Sequence, residues 1–201
     1  MTAEAVIAVM TPSSLPDWVF PPPQGFSAED LDHIPELPAH TELIDGSLVF
    51  VSPQTSFHMR AVSLLEAELR GAAPAGVRVR REMSVVLAKD QRPEPDLCVV
   101  TEEAVRGGAE TYYDAKDVVL AVEVVSPESV TRDRERKPQL YAQAGIPHFW
   151  RVEEDSGKPI VYVYELDPAL RSYARMGVHR DRLKVTAPFD LDADLAAIDR
   201  I

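Results

Sequence analysis

Two carboxylates stand where the sequence otherwise predicts buried β-strands. Asp96 directly precedes the apolar run "LCVV", and Glu123 is the one charge in "VVLAVEVV" (Val118–Val125). An unpaired carboxylate beside buried apolar residues is costly, and two carboxylates brought together repel each other unless a cation or a shared proton holds them. Mg²⁺ binds one or two carboxylates and takes its remaining ligands from water and phosphate oxygens. We therefore interpret Asp96 and Glu123 as candidate ligands of Mg²⁺ or Mn²⁺.

A divalent ion at two carboxylates suits the hydrolysis of a phosphodiester, because it polarises the phosphoryl oxygen, activates a water and stabilises the departing oxygen. A nearby lysine would orient the water or neutralise developing negative charge. We predict that Lys137, in the charged run "TRDRERK" (Thr131–Lys137), has this role.

Each of these residues also has a structural interpretation. Asp96 follows Pro95, where a carboxylate can accept hydrogen bonds from backbone N–H groups of a turn. Glu123 could belong to a long-range salt bridge. Lys137 could pair with Asp133, four residues earlier, on a solvent-exposed helix face.

Two further residues are candidate neighbours of the site. His58 begins the inward-facing stripe of a predicted helix, where a histidine can also be an ordinary core residue. Glu42 lies just before a predicted hairpin turn and could reach the metal through a water.

The predicted elements could bring these residues together. Asp45-Gly46 tolerates the positive φ of a hairpin turn within Thr41–Pro53, and apolar residues at helical spacing predict a helix over Ser56–Ala73. Valine-rich runs after residue 77 are typical of strands covered on both faces. A second helix over Asp133–Gly145 should become regular near Lys137, since Pro138 fits only a first turn. Further strands are predicted over Pro147–Glu153, Ile160–Leu166 and Ser172–Val178.

This order of elements predicts an α/β (α+β) fold with a mixed central β-sheet flanked by helices. We expect residues 26–201 to form a single domain and residues 1–25 to be an irregular N-terminal arm, because its proline run removes backbone donors. "SAEDL" predicts a short helix capped by Ser27 with Asp30 three residues on. We expect the arm to pack on the body through Trp18 and Phe20.

Composition limits the function. The 201 residues carry 33 acidic and 21 basic side chains, a formal charge of −12, which argues against a protein that coats nucleic acid through a broad basic surface. Cys98 is the single cysteine, so an intrachain disulfide is excluded, and we interpret it as a core residue. The first apolar run, Ala5–Met10, resembles neither a secretory signal nor a membrane span, so we expect a cytoplasmic protein with no membrane partner.

The motifs resemble a known group of nucleases. "PEPD" before an apolar strand, followed by Glu123 in "AVEVVSPES", is similar to the signature of the PD-(D/E)XK, or restriction-endonuclease-like, superfamily. Together with "ELIDG", "SFH", "DRERK" and "LYAQAGIPHFW", the pattern resembles the Uma-two group over roughly residues 40–165.

The resemblance implies a restriction-endonuclease-like core and Mg²⁺- or Mn²⁺-dependent cleavage of DNA, with Asp96 and Glu123 binding the metal. The superfamily pattern has a lysine two residues after the glutamate, where this chain has Val125. In the Uma-two group a lysine on the following helix is thought to take over, which corresponds to Lys137. His148 stands where relatives often have an acidic residue, and we assign it no role. By analogy a homodimer is expected.

Two other classes of function stay open at this stage. The chain could be a catalytically degenerate nucleic-acid or protein binding module, which Val125 and the acidic net charge would favour. It could also hydrolyse a small phosphoester. A basic groove beside the carboxylates would favour DNA over the small substrate, and the candidates for it are Arg78, Arg80, Arg81, Arg132, Arg134 and Arg136.

Overall fold

The structure, a computed structural model, describes residues 16–201. The strands are β1 (Thr41–Ile44), β2 (Ser47–Phe50), β3 (Val77–Arg81), β4 (Ser84–Val86), β5 (Leu97–Thr101), β6 (Tyr112–Asp114), β7 (Val118–Val124), β8 (His148–Asp155), β9 (Lys158–Asp167), β10 (Ser172–His179), β11 (Arg182–Val185) and β12 (Leu191–Asp194). The α-helices are α1 (Ser56–Ala72) and α2 (Lys137–Ala144).

Six of the strands form one mixed sheet in the order β10-β9-β8-β7-β5-β3. β7 and β8 pair in parallel, and the other neighbours are antiparallel. β7 is buried along most of its length, because the sheet is covered on both faces. The predicted mixed central sheet with flanking helices is confirmed.

The two faces of β7 belong to two separate cores. Leu120, Val122 and Val124 pack in the core beneath α1, whose predicted inward stripe is buried. Ala121 packs in the second core with Tyr141 of α2. Glu123 lies on the same face as Ala121, since side chains alternate along a strand. The strand therefore directs Glu123 toward α2.

The predicted hairpin is present as β1 and β2, with Asp45 and Gly46 both at positive φ in the turn. The predicted short helix at "SAEDL" is instead a 3-10 turn over Asp30–Asp32. Its expected polar pair is formed, because the backbone N–H of Ser27 donates to the Asp30 carboxylate at 2.7 Å.

The division into arm and domain stays a prediction, because residues 1–15 of the arm lie outside the described residues. Within the described part, the ring of Trp18 lies 6.1 Å from that of Phe50 on β2, while Phe20 is exposed. The body of the protein therefore contacts the arm through Trp18.

The end of α2 generates a prediction about stability. Gly145 has φ +87° at the helix C-terminus, and a Cβ there would meet nothing within 4 Å. We expect Gly145→Ala to lower the free energy of unfolding by about 1–2 kcal/mol through backbone strain alone. The matched change Gly71→Ala, inside α1 and equally free of contacts, should raise it by about 0.5–1 kcal/mol. Urea unfolding measures both, and a shift of the same sign in both variants would contradict this explanation.

Candidate functional site

A cleft of about 360 Å³ lies where the ends of β5 and β7 meet the β1–β2 hairpin and the helical segment that leads into α2. The five candidate site residues predicted from the sequence all line this cleft. They are Glu42, His58, Asp96, Glu123 and Lys137.

The register of the sheet explains why the two candidate metal ligands are neighbours. Leu97 of β5 pairs with Val122 of β7 in antiparallel fashion, so the next residues outward are Asp96 and Glu123. The backbone N–H of Val124 donates a hydrogen bond of 2.6 Å to Oδ2 of Asp96. The two carboxylates therefore lie at adjacent strand ends.

Glu123 is almost fully buried, with 2% of its surface exposed. Lys137 Nζ donates to its Oε2 at 3.0 Å, and the hydroxyl of Tyr141 donates to its Oε1 at 2.5 Å. Burial raises the pKa of Glu123 well above its ordinary value; the ammonium of Lys137 opposes this shift, and the nearby carboxylates of Asp133 and Asp96 reinforce it. Glu123 thus holds a proton more readily than an exposed glutamate does.

Lys137 is the cation at the centre of the site, and only 4% of its surface is exposed. Besides Glu123, its Nζ lies 2.8 Å from Glu42 Oε1 and 3.4 Å from Asp133 Oδ1. Burial alone would lower the pKa of Lys137, but the surrounding carboxylates raise it well above its ordinary value. The interpretation of Lys137 and Asp133 as a pair on a solvent-exposed face is wrong, because both side chains are buried.

The helix turns these side chains inward through an unusual start. A π-helical segment, Arg132–Arg136, runs directly into α2, and π-helical turns are frequent at functional sites. Asp133, Lys137 and Tyr141 are spaced four residues apart. Lys137 and Tyr141 contact Glu123, and Asp133 contacts Lys137. Asp133 and Tyr141 were not predicted to belong to the site, and this spacing from Lys137 was the signal that could have found them.

His58 lies in the first turn of α1, where its backbone N–H donates to the N-cap hydroxyl of Thr55 at 3.2 Å. Its Nε2 is 3.0 Å from Asp96 Oδ1. With the hydrogen bond from Val124, this contact engages both oxygens of Asp96. The helix start therefore fixes the direction in which Asp96 points.

Glu42 contacts Lys137 directly instead of lying at the edge of the site. Its Oε1 forms an ion pair with Lys137 Nζ and accepts a hydrogen bond of 2.8 Å from the backbone N–H of Glu94. Its Oε2 lies 3.8 Å from Nε of Arg132, and neither of these two buried atoms has a hydrogen-bond partner within residues 16–201. Part of the hydrogen-bonding capacity of Glu42 is thus available to a ligand.

The donor chemistry of the cleft fits a hard divalent cation, because its acidic groups offer carboxylate oxygens. Glu42 Oε2 and Asp133 Oδ1 are buried without a hydrogen-bond partner in the described part of the chain. Nevertheless, no three acidic, histidine or cysteine side chains of residues 16–201 form a ready-made metal site. The carboxylates of Glu42, Glu123 and Asp133 converge on Lys137 Nζ instead. Binding of an ion would therefore require these side chains to rearrange around Lys137.

The basic groove considered from the sequence does not border the carboxylates. Of its six candidate arginines, Arg132 lines the cleft. The others interact elsewhere: Arg78 with Glu102, Arg80 with Tyr113, Arg81 with Glu66, Arg134 with Glu153 and Arg136 with Asp45. The cleft is consequently acidic overall.

The sheet, its flanking helices and the cleft at the strand ends are those of a restriction-endonuclease-like fold. A crystal structure from Anabaena variabilis, titled "a putative nuclease belonging to DUF820", superposes with a TM-score of 0.64 and 14% sequence identity, covering 86% of this chain and 97% of that one. Residues 28–197 match the model of the Uma2 family, described as "Putative restriction endonuclease". The chain belongs to this family, as its motifs suggested.

Two findings complete the comparisons. No curated protein matches the chain. Among residues 16–201, none of the helices has the length and apolarity that crossing a bilayer demands.

The contacts of Lys137 predict a pH-dependent stability defect. Lys137→Met removes a cation that touches three buried carboxylates, so we expect a loss of about 3–5 kcal/mol at mildly alkaline pH. Burial raises the pKa of Glu123 and of Asp133, so both bind protons more tightly in the folded state, and stability falls as pH rises through the folded-state pKa. The defect should therefore shrink at mildly acidic pH.

Urea unfolding at the two pH values measures this dependence. Lys158→Met, at the exposed pair with Asp199, is the matched control and should change stability by less than about 0.5 kcal/mol at either pH. An equal loss for Lys137→Met at both pH values would show that packing rather than charge explains the defect.

Proposed function

We propose that the protein is a Mg²⁺- or Mn²⁺-dependent endonuclease that hydrolyses DNA phosphodiester bonds, acting in the cytoplasm as a homodimer. The observation that carries this proposal is the meeting of Asp96 and Glu123 at adjacent strand ends, with Lys137 Nζ 3.0 Å from Glu123. Membership of a family described by nuclease activity supports the reaction class.

In this proposal Asp96 and Glu123 hold the divalent ion. The ion would supply an activated water and stabilise charge on the departing oxygen. His58 and the N–H of Val124 keep Asp96 in place, and Tyr141 does the same for Glu123. These supports matter, because partners that orient metal ligands affect metal affinity nearly as much as the ligands do.

Lys137 replaces the lysine that the superfamily pattern puts at position 125. Its ammonium reaches Glu123 from α2 rather than from β7, and its raised pKa keeps it charged. A charged lysine beside the metal ligands can hold a phosphate oxygen or the attacking water once the carboxylates exchange some of their contacts for the ion. This geometry supports the assignment of Lys137 to catalysis despite Val125.

One observation favours a second candidate function. The cleft is lined by acidic groups and by few basic ones, which suits a small phosphoester brought in with its own metal better than a long polyanion. A nuclease of this kind would need to hold DNA outside the cleft. The two substrates can be tested side by side with p-nitrophenyl phosphodiesters and plasmid DNA.

Nicking of supercoiled plasmid in Mg²⁺ and in Mn²⁺ tests the proposed function. We expect Asp96→Ala and Glu123→Gln each to lower the cleavage rate by more than about 100-fold, beyond the effect of losing an outer partner of a metal ligand. Asp192→Asn, which removes one exposed carboxylate paired with Arg182, should cleave at the wild-type rate.

Two outcomes would count against the proposal of a nuclease. Intact plasmid with the wild-type protein in both metals would favour the non-catalytic binding module. Cleavage of the small phosphodiester alone would favour the small-phosphoester hydrolase.

Removal of the Tyr141 hydroxyl should weaken activity and Mn²⁺ binding without abolishing them. Tyr141→Phe removes the 2.5 Å hydrogen bond to Glu123 but keeps the ring in the core, so we expect activity and apparent Mn²⁺ affinity to fall together by about 10–100-fold. Tyr113→Phe is the matched control, because that buried hydroxyl bonds Arg80 outside the cleft. A fall in thermal stability with unchanged Mn²⁺ affinity would assign Tyr141 a purely structural part.

A further inference from the structure

A second concavity of about 470 Å³ lies on another side of the same helical segment. The cleft is lined by Asp133 and Lys137, whereas this groove is lined by Arg134, Pro138 and Gln139. Its floor is the sheet surface of β8, β9 and β10. We name it the arginine–tyrosine groove, after Arg134, Arg151, Arg171, Tyr164 and Tyr173.

Three arginines line the groove, Arg134, Arg151 and Arg171, against one lining carboxylate, that of Glu135. Arg134 and Arg151 share a single carboxylate, that of Glu153. Arg171 donates to the backbone carbonyl of Gln143 at 3.0 Å, and within residues 16–201 it forms no ion pair. Its guanidinium is exposed, so it can contact a ligand.

Arg175 adds a further positive charge at the edge of the groove. In the β9–β10 pairing it lies opposite Tyr164, and side chains of directly opposed residues share one face of a sheet. Arg175 is exposed and, in the described part of the chain, belongs to no ion pair. Arg171, just before β10, and Arg175, within it, therefore present two guanidiniums without an ion pair among residues 16–201 on the side of the groove.

Aromatic rings lie between these charges. The Arg151 guanidinium lies 4.6 Å above the ring of Tyr162 and 5.7 Å from that of Tyr164. The rings of Tyr164 and Tyr173 are 6.5 Å apart, and both are only partly buried. Both rings also pack against the buried ring of Phe149, and their exposed parts lie among the guanidiniums. This surface suits a nucleic-acid strand, because arginines pair with phosphates and exposed aromatic groups contact bases.

We propose that the arginine–tyrosine groove binds the sugar–phosphate strand of the DNA substrate next to the bond that is cut. This inference rests on the proposed function and adds the surface that holds the polyanion. The groove and the cleft flank one helix, which is about 10–12 Å across. Successive phosphates of one B-DNA strand are about 3.4 Å apart along the helix axis and farther apart through space, because the strand winds around that axis. The groove would therefore hold a phosphate within about three nucleotides of the scissile one.

The location resolves an electrostatic difficulty. The cleft is acidic, and the chain as a whole carries −12, so a strand needs attraction from elsewhere to approach the carboxylates. A local cluster of arginines provides that attraction over about a Debye length, roughly 8–10 Å at physiological salt. The helix that separates the cluster from the cleft is about 10–12 Å across, which is comparable with this length.

The test removes charge from the groove without touching the cleft. In Arg171→Gln/Arg175→Gln both changed residues are exposed, so folding should be preserved. The matched control is Arg180→Gln/Arg182→Gln, which removes two exposed arginines that pair with Asp155 and Asp192. Binding of a fluorescent DNA duplex, and of the same strand alone, is measured in EDTA over a series of salt concentrations.

We expect the groove variant to bind more weakly, with a shallower dependence of log K on log salt. The slope should fall by about 0.9 for each duplex phosphate that the variant no longer neutralises, or by about 0.7 for each phosphate of single-stranded DNA. In plasmid cleavage the KM should rise while kcat at saturating DNA stays at the wild-type value. The control variant should keep the wild-type slope and KM.

The outcomes separate this proposal from the proposed function. Equal slopes for the groove variant, the control and the wild type would overturn the groove as the DNA site and leave the nuclease proposal intact. A reduced slope for the groove variant, in a protein that cuts no DNA in either metal, would uphold the groove and overturn the nuclease. If the groove variant loses binding to polyglutamate while its DNA binding is unchanged, the groove binds an acidic protein partner. That result would overturn the proposal.

Discussion

The site depends on one buried ammonium. Lys137 Nζ contacts Glu42 of β1, Glu123 of β7 and Asp133 of the helical segment, and therefore ties together three parts of the chain. Three buried carboxylates around one cation cannot all be charged without a large electrostatic cost. Burial raises the pKa values of Glu123 and Asp133, and neighbouring carboxylates reinforce the shift. An added divalent charge would oppose it.

Apolar packing supplies the rigidity that such a cluster needs. β7 is anchored by two cores, one beneath α1 and one beneath α2, so the backbone that carries Glu123 cannot shift to relax the repulsion. The cluster lies at the strand ends, where a free backbone N–H, that of Val124, can still bind Asp96. The same position in the middle of the strand would offer no such donor, because its N–H groups belong to the sheet.

Local patterns in the sequence were enough to single out the two strand carboxylates, since Asp96 directly precedes a continuous apolar run and Glu123 is the one charge within another. They were not enough to find Asp133 and Tyr141 as members of the site. Their four-residue spacing from Lys137 places the three side chains on one helix face. The spacing does not show that this face is turned toward Glu123, because that depends on how the segment packs against the sheet. The β11–β12 hairpin was not predicted, because its strands are short and half of their residues are charged. It nevertheless completes the core beneath α1, to which Leu183 and Leu191 belong.

Carboxylates predominate on one side of α2 and the segment leading into it, and arginines on the other, although Arg132 and Lys137 line the cleft and Glu135 lines the groove. Asp133 lies on the cleft side and Arg134, the next residue, on the groove side; consecutive helical residues point about 100° apart, so a single turn can serve both surfaces. A uniformly acidic surface would repel DNA, and a uniformly basic cleft would repel the metal. Under the proposed function, separation of the two charges by one helix width would let arginines hold a strand while a phosphate of the same strand a few nucleotides away meets the carboxylates. The net charge of −12 is therefore compatible with a nucleic-acid substrate, because what decides binding is the local field within a Debye length rather than the total.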